Sequence, residues 1–362
     1  MTKPHLALIG TGGTIAGAAS VASVSTDYQP ASLSLAAVVD TVPELRQRYA
    51  MDITQPLQLA SYDLRPAHWL DLHAAVMQAV NNPDVTGIVV THGTDTLEET
   101  ATFLHLSVDS DKPIVVVGAM RPATAYSADG PANLLDACSV AACPSARGRG
   151  TLVVMNGRIH SALWVGKRHV SSVEAFDSPL AGAVGEVADQ TVQWLRAAGR
   201  APTVAWQSPA AWPRVDIAVA YAGVDETALQ AFVAAGARGI VHAGLGNANT
   251  PSSYRALLQS LPAQGVLVAR CARFITGSVT RTRPLRRRCP WHLDGGPLAA
   301  PQGARGHAAG TGAWHGRPRH SGLDGPDFAG RLSSGVQRAR WLQYKTAPLR
   351  LAMTMRPTNP AL

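Results

Sequence analysis

Gly87-Ile88-Val89-Val90-Thr91-His92-Gly93-Thr94-Asp95-Thr96-Leu97-Glu98-Glu99-Thr100 is the stretch that decides the fold. Ile88, Val89, Val90 and Thr91 are β-branched without alternation, the pattern of a strand buried on both faces. A polar turn follows, then helical spacing over Thr96–Leu106. Working upstream, Pro66–Asn81 reads as an amphipathic helix, with Trp69, Leu72, Val76, Met77 and Val80 on one face. Asp52–Ala60 alternates like a strand, Leu33–Val42 has helical spacing, and His5–Gly10 is a short apolar strand. Downstream come a strand at Pro113–Val117, a helix at Pro131–Ala141 and a strand at Thr151–Met155. This rhythm predicts an α/β fold with an N-terminal doubly wound, mainly parallel sheet. Ligands of such sheets bind beyond the carboxyl ends of the strands.

A Pro-rich stretch, Arg200–Pro213, reads as a linker. A second, smaller α/β unit follows. Its expected elements are a strand at Asp216–Tyr221, a helix at Glu226–Ala235, a strand at Gly239–Ala243, a helix at Pro251–Ser260 and a strand at Gly265–Ala269. The expected organisation is therefore residues 1–199, a linker at 200–213, a unit at 214–281, and a remainder at 282–362. No repeat of solenoid period interrupts it.

The 362 residues are 46% hydrophobic and 15% charged, which excludes a chain disordered throughout. No apolar run reaches a membrane span. Four cysteines give no disulfide framework, and Cys138 and Cys143 read as buried or free thiols. Met1–Gly10 leads straight into a strand without an apolar leader, so the expected location is cytoplasmic, or periplasmic if the start lies further upstream. The net charge of +8 is unevenly spread. Residues 1–280 carry 18 Lys+Arg against 21 Asp+Glu, −3, whereas residues 281–362 carry 14 against three Asp, +11.

Three motifs fall at strand ends. Gly10-Thr11-Gly12-Gly13-Thr14-Ile15-Ala16-Gly17 fits neither a dinucleotide fingerprint nor a P-loop. It offers hydroxyls, and a Thr hydroxyl becomes a nucleophile when a base activates it; a tight turn with a solvated Thr is the alternative. Thr91–Thr100 gathers hydroxyls and carboxylates into one turn. Thr94 or Asp95 would cap the helix and the Glu pair suits its first turn, but capping leaves a surplus of polar groups, which favours a site. Gly118-Ala119-Met120-Arg121-Pro122 and Ser127-Ala128-Asp129-Gly130 read as a structural turn, with Arg121 tying down carbonyls and Asp129 as a cap.

Together these motifs resemble the bacterial type II L-asparaginases and their glutaminase-asparaginase relatives, over residues 5 to about 281. Gly244-Leu245-Gly246-Asn247-Ala248-Asn249 fits the same family. The resemblance implies hydrolysis of L-asparagine to L-aspartate and ammonia, with Thr14 as nucleophile and Tyr28 as the lid tyrosine that handles its proton. It makes Thr94, Lys167 and Asp95 a second hydroxyl–amine–carboxylate group. Asp95 also binds the substrate ammonium, Ser61 its carboxylate, and the Thr94 N–H the oxyanion. Tyr62 stands where the family usually has Gln, which alters how the carboxylate is held. Around Lys167, in Trp164–His169, the match is loose, and Lys167 is chosen by register; an exposed surface Lys is the alternative. Asn249 matches a residue that reaches into a neighbouring subunit of a homotetramer. His92 is read as structural, and no metal, cofactor, membrane or specific nucleic-acid partner is implied.

After Gly277-Ser278-Val279-Thr280-Arg281 the Glu expected from the family is missing, and periodicity vanishes. One reading of residues 282–362 is a basic, disordered tail. The other is translation in a shifted frame. Shifting Pro301–Gly316 by one base permits P-H-K-A-R-V-V-M-Q-L-A-L-A-H-G, which resembles the family's last helix. The same frame over Arg287–His292 permits D-D-A-L-G followed by Ile or Thr. Three further readings follow: comparable glutaminase activity, an inactive amino-acid-binding relative, and a nucleic-acid binder resting wholly on the tail.

Overall fold

The computed structural model describes residues 3–23, 25–197, 203–204, 206–209, 211–277, 279–280, 293–294 and 347–355. The first unit runs β1 (His5–Gly10), α1 (Leu35–Asp40), α2 (Pro43–Arg48), β2 (Ala50–Thr54), α3 (Pro66–Asn81), β3 (Gly87–Thr91), α4 (Leu97–Ser107), β4 (Ile114–Val117), α5 (Gly130–Ala142) and β5 (Thr151–Met155). Short strands β6 (Arg158–Ser161), β7 (Gly166–Lys167), β8 (Phe176–Asp177), β9 (Gly185–Ala188) and β10 (Thr191–Trp194) complete it. The second unit is β11 (Val215–Val219), α6 (Thr227–Ala234), β12 (Gly239–Gly244), α7 (Ser252–Ser260), β13 (Leu267–Ala272), β14 (Leu293–Asp294) and α8 (Ala347–Thr354).

Eight strands form one sheet in the order β10-β9-β6-β5-β4-β3-β1-β2. Strands β1 to β5 pair in parallel, and β6, β9 and β10 extend the edge antiparallel. Parallel strands joined by crossovers need cover on both faces, and the side chains supply it. Ile88, Val90 and Val116 face a cluster with Trp69, Leu72, Val76 and Phe103 of α3 and α4. Val89, Val115 and Val117 face Leu134, Ala137 and Cys138 of α5 on the other side. The order reverses between β1 and β3, because the chain runs from β1 outward to β2 and then back to β3. A crevice opens at the carboxyl ends of strands flanking such a switch, and the two hydroxyl-rich motifs occupy these ends.

Leu33–Val42 does not form one helix. It stops at Asp40, and Pro43 starts α2, since proline fits the first helical turn and not an interior. The strand expected over Asp52–Ala60 ends at Thr54, ahead of Pro56. Described residues of the Pro-rich connection are packed and not free: the Val204 N–H donates to the Leu106 carbonyl at 2.9 Å, and Trp206 and Trp212 lie against the α3–α4 cluster.

The second sheet, β11-β12-β13-β14, is parallel throughout. Leu229 of α6 and Tyr254 and Leu258 of α7 cover one face. The expectation of disorder over 282–362 does not hold for Ala347–Thr354, which form α8 and pack on β11, β12 and α4. The reason lies in two apolar stripes at i, i+4 spacing. Leu349 and Met353 enter the α3–α4 cluster, and Leu351 and Met355 meet Val241, Ala243 and Ala269 of the second sheet. The shifted-frame segments at 287–292 and 301–316 lie outside the described residues. Among the described residues no helix is long and apolar enough to cross a membrane.

Candidate active site

Thr14 follows β1 in a turn that only glycine permits. Gly12 and Gly13 take φ of 96° and 78°, in the left-handed region. A Cβ on Gly13 would stand 2.3 Å from the Cα of Gly93, so the two motif loops touch backbone to backbone. Thr14 is 7% exposed, and its Oγ1 lies 2.7 Å from the Tyr28 hydroxyl. Tyr28 comes from the excursion after Gly17, which is closed by reciprocal Ala18–Gln29 backbone bonds of 3.0 and 2.9 Å.

The turn after β3 builds a second cluster. Thr94 and Asp95 do not cap α4; the N-cap position falls to Thr96, without a side-chain cap bond. Their side chains are engaged by Lys167 instead. The Lys167 Nζ donates to Thr94 Oγ1 at 2.9 Å and to Asp95 Oδ1 at 2.7 Å. Of the basic run Lys167–His169, Lys167 is the residue that reaches this turn. Its side chain is 16% exposed and that of Asp95 52%, so the pair spans the boundary between protein and crevice. Ser61 is buried beside it: its Oγ accepts the Asp95 N–H at 3.2 Å, and its carbonyl accepts the Thr96 hydroxyl at 2.9 Å. Tyr62, its neighbour, is 65% exposed.

His92 is fully buried and plays no part at the crevice surface. Burial pushes its pKa down to about 4, so the ring is neutral at pH 7. The Gly93 carbonyl can only accept, so the 2.7 Å contact makes Nδ1 the donor. Nε2 then accepts the Thr100 hydroxyl at 2.9 Å, and Thr100 Oγ1 accepts Trp69 Nε1–H at 3.0 Å. This chain of bonds ties the turn to α3 and α4.

The third motif is a structural turn. Arg121 Nη1 donates to the Ser127 carbonyl at 3.0 Å. Asp129 makes no cap bond to α5; its carboxylate turns back to accept the Met120 and Arg121 N–H groups at 3.0–3.1 Å. Asn249 stands apart, exposed on the second unit in a turn closed by Leu245–Asn249 backbone bonds. The described hydrogen bonds do not link it to the other candidates. Cys138 and Cys271 are buried free thiols, both pushed up to about 12 by burial, and Cys143 is a half-buried free thiol. Among the described residues no group of three His, Cys, Asp or Glu stands close enough to hold a metal ion.

Glu98 is the residue that sequence reasoning passed over. Its position in the first helical turn suggested a partner for the helix dipole and nothing more. Yet it is 1% exposed, and its Oε2 accepts the Lys167 backbone N–H. The sequence pattern carries little signal, because Leu97, Ala101, Phe103 and Leu104 occupy one side and Glu98 lies on the other with Thr102 and His105; the structure buries the helix nearly all round. A charge in such a helix must be buried and partnered.

This constellation can activate a hydroxyl, hold a second hydroxyl against an amine, and present a carboxylate to a cation. Comparison with known proteins agrees in outline. The asparaginase N-terminal family model matches residues 5–200, and the glutaminase/asparaginase C-terminal domain model matches residues 214–288. The chain is 42% identical to a glutaminase-asparaginase of Pseudomonas fluorescens biotype A over 283 residues, covering 76% of this chain and 78% of that one. It is 39% identical to L-asparaginase 2 of Bacillus subtilis (strain 168), over 76% of this chain and 75% of that one. A crystal structure of a probable cytoplasmic L-asparaginase from Campylobacter jejuni superposes with a TM-score of 0.76 at 33% identity, covering 82% and 91% of the two chains.

Proposed function

The chain belongs to the asparaginase family, and from that premise we propose that it hydrolyses the side-chain amide of L-asparagine through an ester on Thr14. In the first half the Thr14 Oγ1–carbon bond forms and the carbon–nitrogen bond breaks. The hydroxyl proton passes by way of Tyr28 and leaves on ammonia. In the second half water attacks the ester, and Thr14 recovers its proton as L-aspartate departs. Asp95 receives the substrate ammonium and Ser61 its carboxylate, with Tyr62 at the rim. The Thr94 N–H donates to the oxyanion, where charge develops. Lys167 holds the Thr94 hydroxyl as the second proton-handling pair.

The observation that carries this reading is the 2.7 Å contact between Thr14 Oγ1 and Tyr28 OH at the β1–β3 switch. Thr14→Ala tests it. Ammonia release from asparagine is expected to fall by roughly a thousandfold or more. In the parent enzyme, acid quenching should trap an aspartyl ester on the Thr14 peptide. Substantial residual turnover in the variant would remove Thr14 from the role.

Dual action on asparagine and glutamine is the second reading, favoured by the 42% identity to a protein named glutaminase-asparaginase. One methylene shifts preference only about 10–200-fold in a pocket, and the ratio of kcat/KM for the two substrates decides. The exposed Asn249 supports a homo-oligomer, a tetramer by resemblance, in which this residue completes the site of a second copy. Light scattering on the purified chain tests the assembly. The solved relative described as cytoplasmic supports the same compartment here.

A further inference from the structure

Lys167 sits on β7, a strand of two residues that belongs to a two-stranded ribbon with β8 and not to the eight-stranded sheet. A ribbon this short is marginal by itself. A lysine side chain adds several rotatable bonds between backbone and amine. Something must therefore fix the backbone end if Nζ is to meet Thr94 and Asp95 together. The buried Glu98 carboxylate does so, accepting the Lys167 N–H from the first turn of α4. The same stretch, Thr94 to Glu98, thus grips both ends of Lys167: Thr94 and Asp95 hold the amine, and Glu98 holds the peptide.

We infer that Glu98 is a positioning residue, whose carboxylate sets the height of Lys167 against the Thr94 hydroxyl. The inference rests on the reading that Lys167 and Thr94 act as a pair during amide hydrolysis. What the role demands of Glu98 is an acceptor oxygen at that reach. Glu98→Gln keeps such an oxygen, Glu98→Asp withdraws it by one methylene, and Glu98→Ala removes it.

The test uses the full chain and two readouts. The first is kcat and KM for ammonia release from asparagine. The second is acetylation of Lys167 by acetic anhydride, followed by peptide mass spectrometry, with circular dichroism to show that each variant is folded. Glu98→Ala is expected to lower kcat about 10–100-fold with KM within about threefold, since displacing a catalytic group by an ångström costs on that order. Its Lys167 should acetylate several-fold faster, because the amine is released from its partners. Glu98→Gln should restore both readouts to within about threefold of the parent. Should Glu98→Ala fail to fold, the contrast between an impaired Glu98→Asp and a restored Glu98→Gln carries the same expectation. Unchanged kcat and unchanged Lys167 reactivity in a folded Ala or Asp variant would overturn the inference. So would a Gln variant as impaired as Ala. A parent chain that releases no ammonia would defeat the functional reading, while Lys167 reactivity would still decide the role of Glu98.

Discussion

The two sheets of this molecule are covered from different distances along the chain. The eight-stranded sheet takes its cover from helices that lie between its own strands. α3 and α4 pack on one face, and α5 packs on the other. Among the described residues the four-stranded sheet has local cover on one face, from α6 and α7. Its other face meets Leu351 and Met355 of α8, about 75 residues beyond β13. Under α8 the fit is close: a Cβ on Gly239 would stand 2.7 Å from Met355 Cε and 2.8 Å from Leu351 Cδ2. The first sheet, with nearly all the candidate catalytic groups, is covered directly by its own helices, and α8 reaches it only through the outer side of the α3–α4 cluster, whereas the second sheet meets α8 directly.

The strongest way to break this contrast is to end the chain after Thr346. Leu349, Leu351, Ala352 and Met353 are buried. At ~1.5–3 kcal/mol for each large apolar side chain, their loss should cost about 5 kcal/mol or more, shared between the second sheet under Leu351 and the α3–α4 cluster under Leu349 and Met353. Calorimetry should show a new low-temperature transition and dye binding to an exposed apolar face. An unchanged melting profile would mean that α8 is not the cover of that sheet.

A single-residue version sharpens the comparison. Leu351→Ala should cost about 2–3 kcal/mol and Leu134→Ala, deep under α5, about 3–5 kcal/mol. The expected difference is that Leu351 perturbs only the second sheet, visible as lost amide protection on β11 and β12. Equal loss of protection in both sheets would show that the units unfold as one.

Acid is a milder probe. His92 and His160 in the first unit and His242 in the second are buried, and burial lowers each pKa to about 4. Unfolded histidine takes its proton near 6.5, while these take theirs near 4. The stability that they lend as neutral rings is therefore lost as pH falls from about 6.5 towards 4. Asp136 on α5 works in the opposite sense. Burial raises its carboxyl to about 6, so it weakens the fold above that value and stops doing so as pH falls towards 3.8. Asp136→Asn should raise Tm near pH 7.5 and leave it unchanged near pH 4, steepening the acid loss of the first unit alone. A rise of equal size at both pH values would remove the titration of Asp136 from the account.

The smallest effect belongs to Tyr62. Its side chain is exposed beside the buried Ser61, so Tyr62→Gln should change KM for asparagine only a few-fold and kcat less. A large loss of kcat would place Tyr62 inside the reacting geometry.

Much of the first sheet was legible because β-branched runs and helical stripes alternate without interruption. The strands Gly87–Thr91 and Thr151–Met155 and the helix Pro66–Asn81 lie where their patterns place them. The edge strands β6, β9 and β10 were not, because they are four residues each and β10 carries no fully buried side chain. Their hydrophobic pattern is too brief to stand out from a loop. For the site, motif spacing pointed to the two touching turns, whereas the contact that joins Glu98 to Lys167 spans 69 residues and leaves no periodic trace. The helix α8 was hidden for a different reason: its two short stripes make sense only with a surface on either side, and sequence supplies neither.

The placement of α8 also sets a clock. Residues leave the ribosome in order, at about 5–20 per second, so α8 follows β13 by roughly 4–15 s. During that interval β11, β12 and β13 are already synthesised, and the apolar side that α8 covers still lacks that helix. A nascent chain of this protein should therefore be a client for holding chaperones late in its synthesis, after the hydroxyl-bearing crevice has already been assembled.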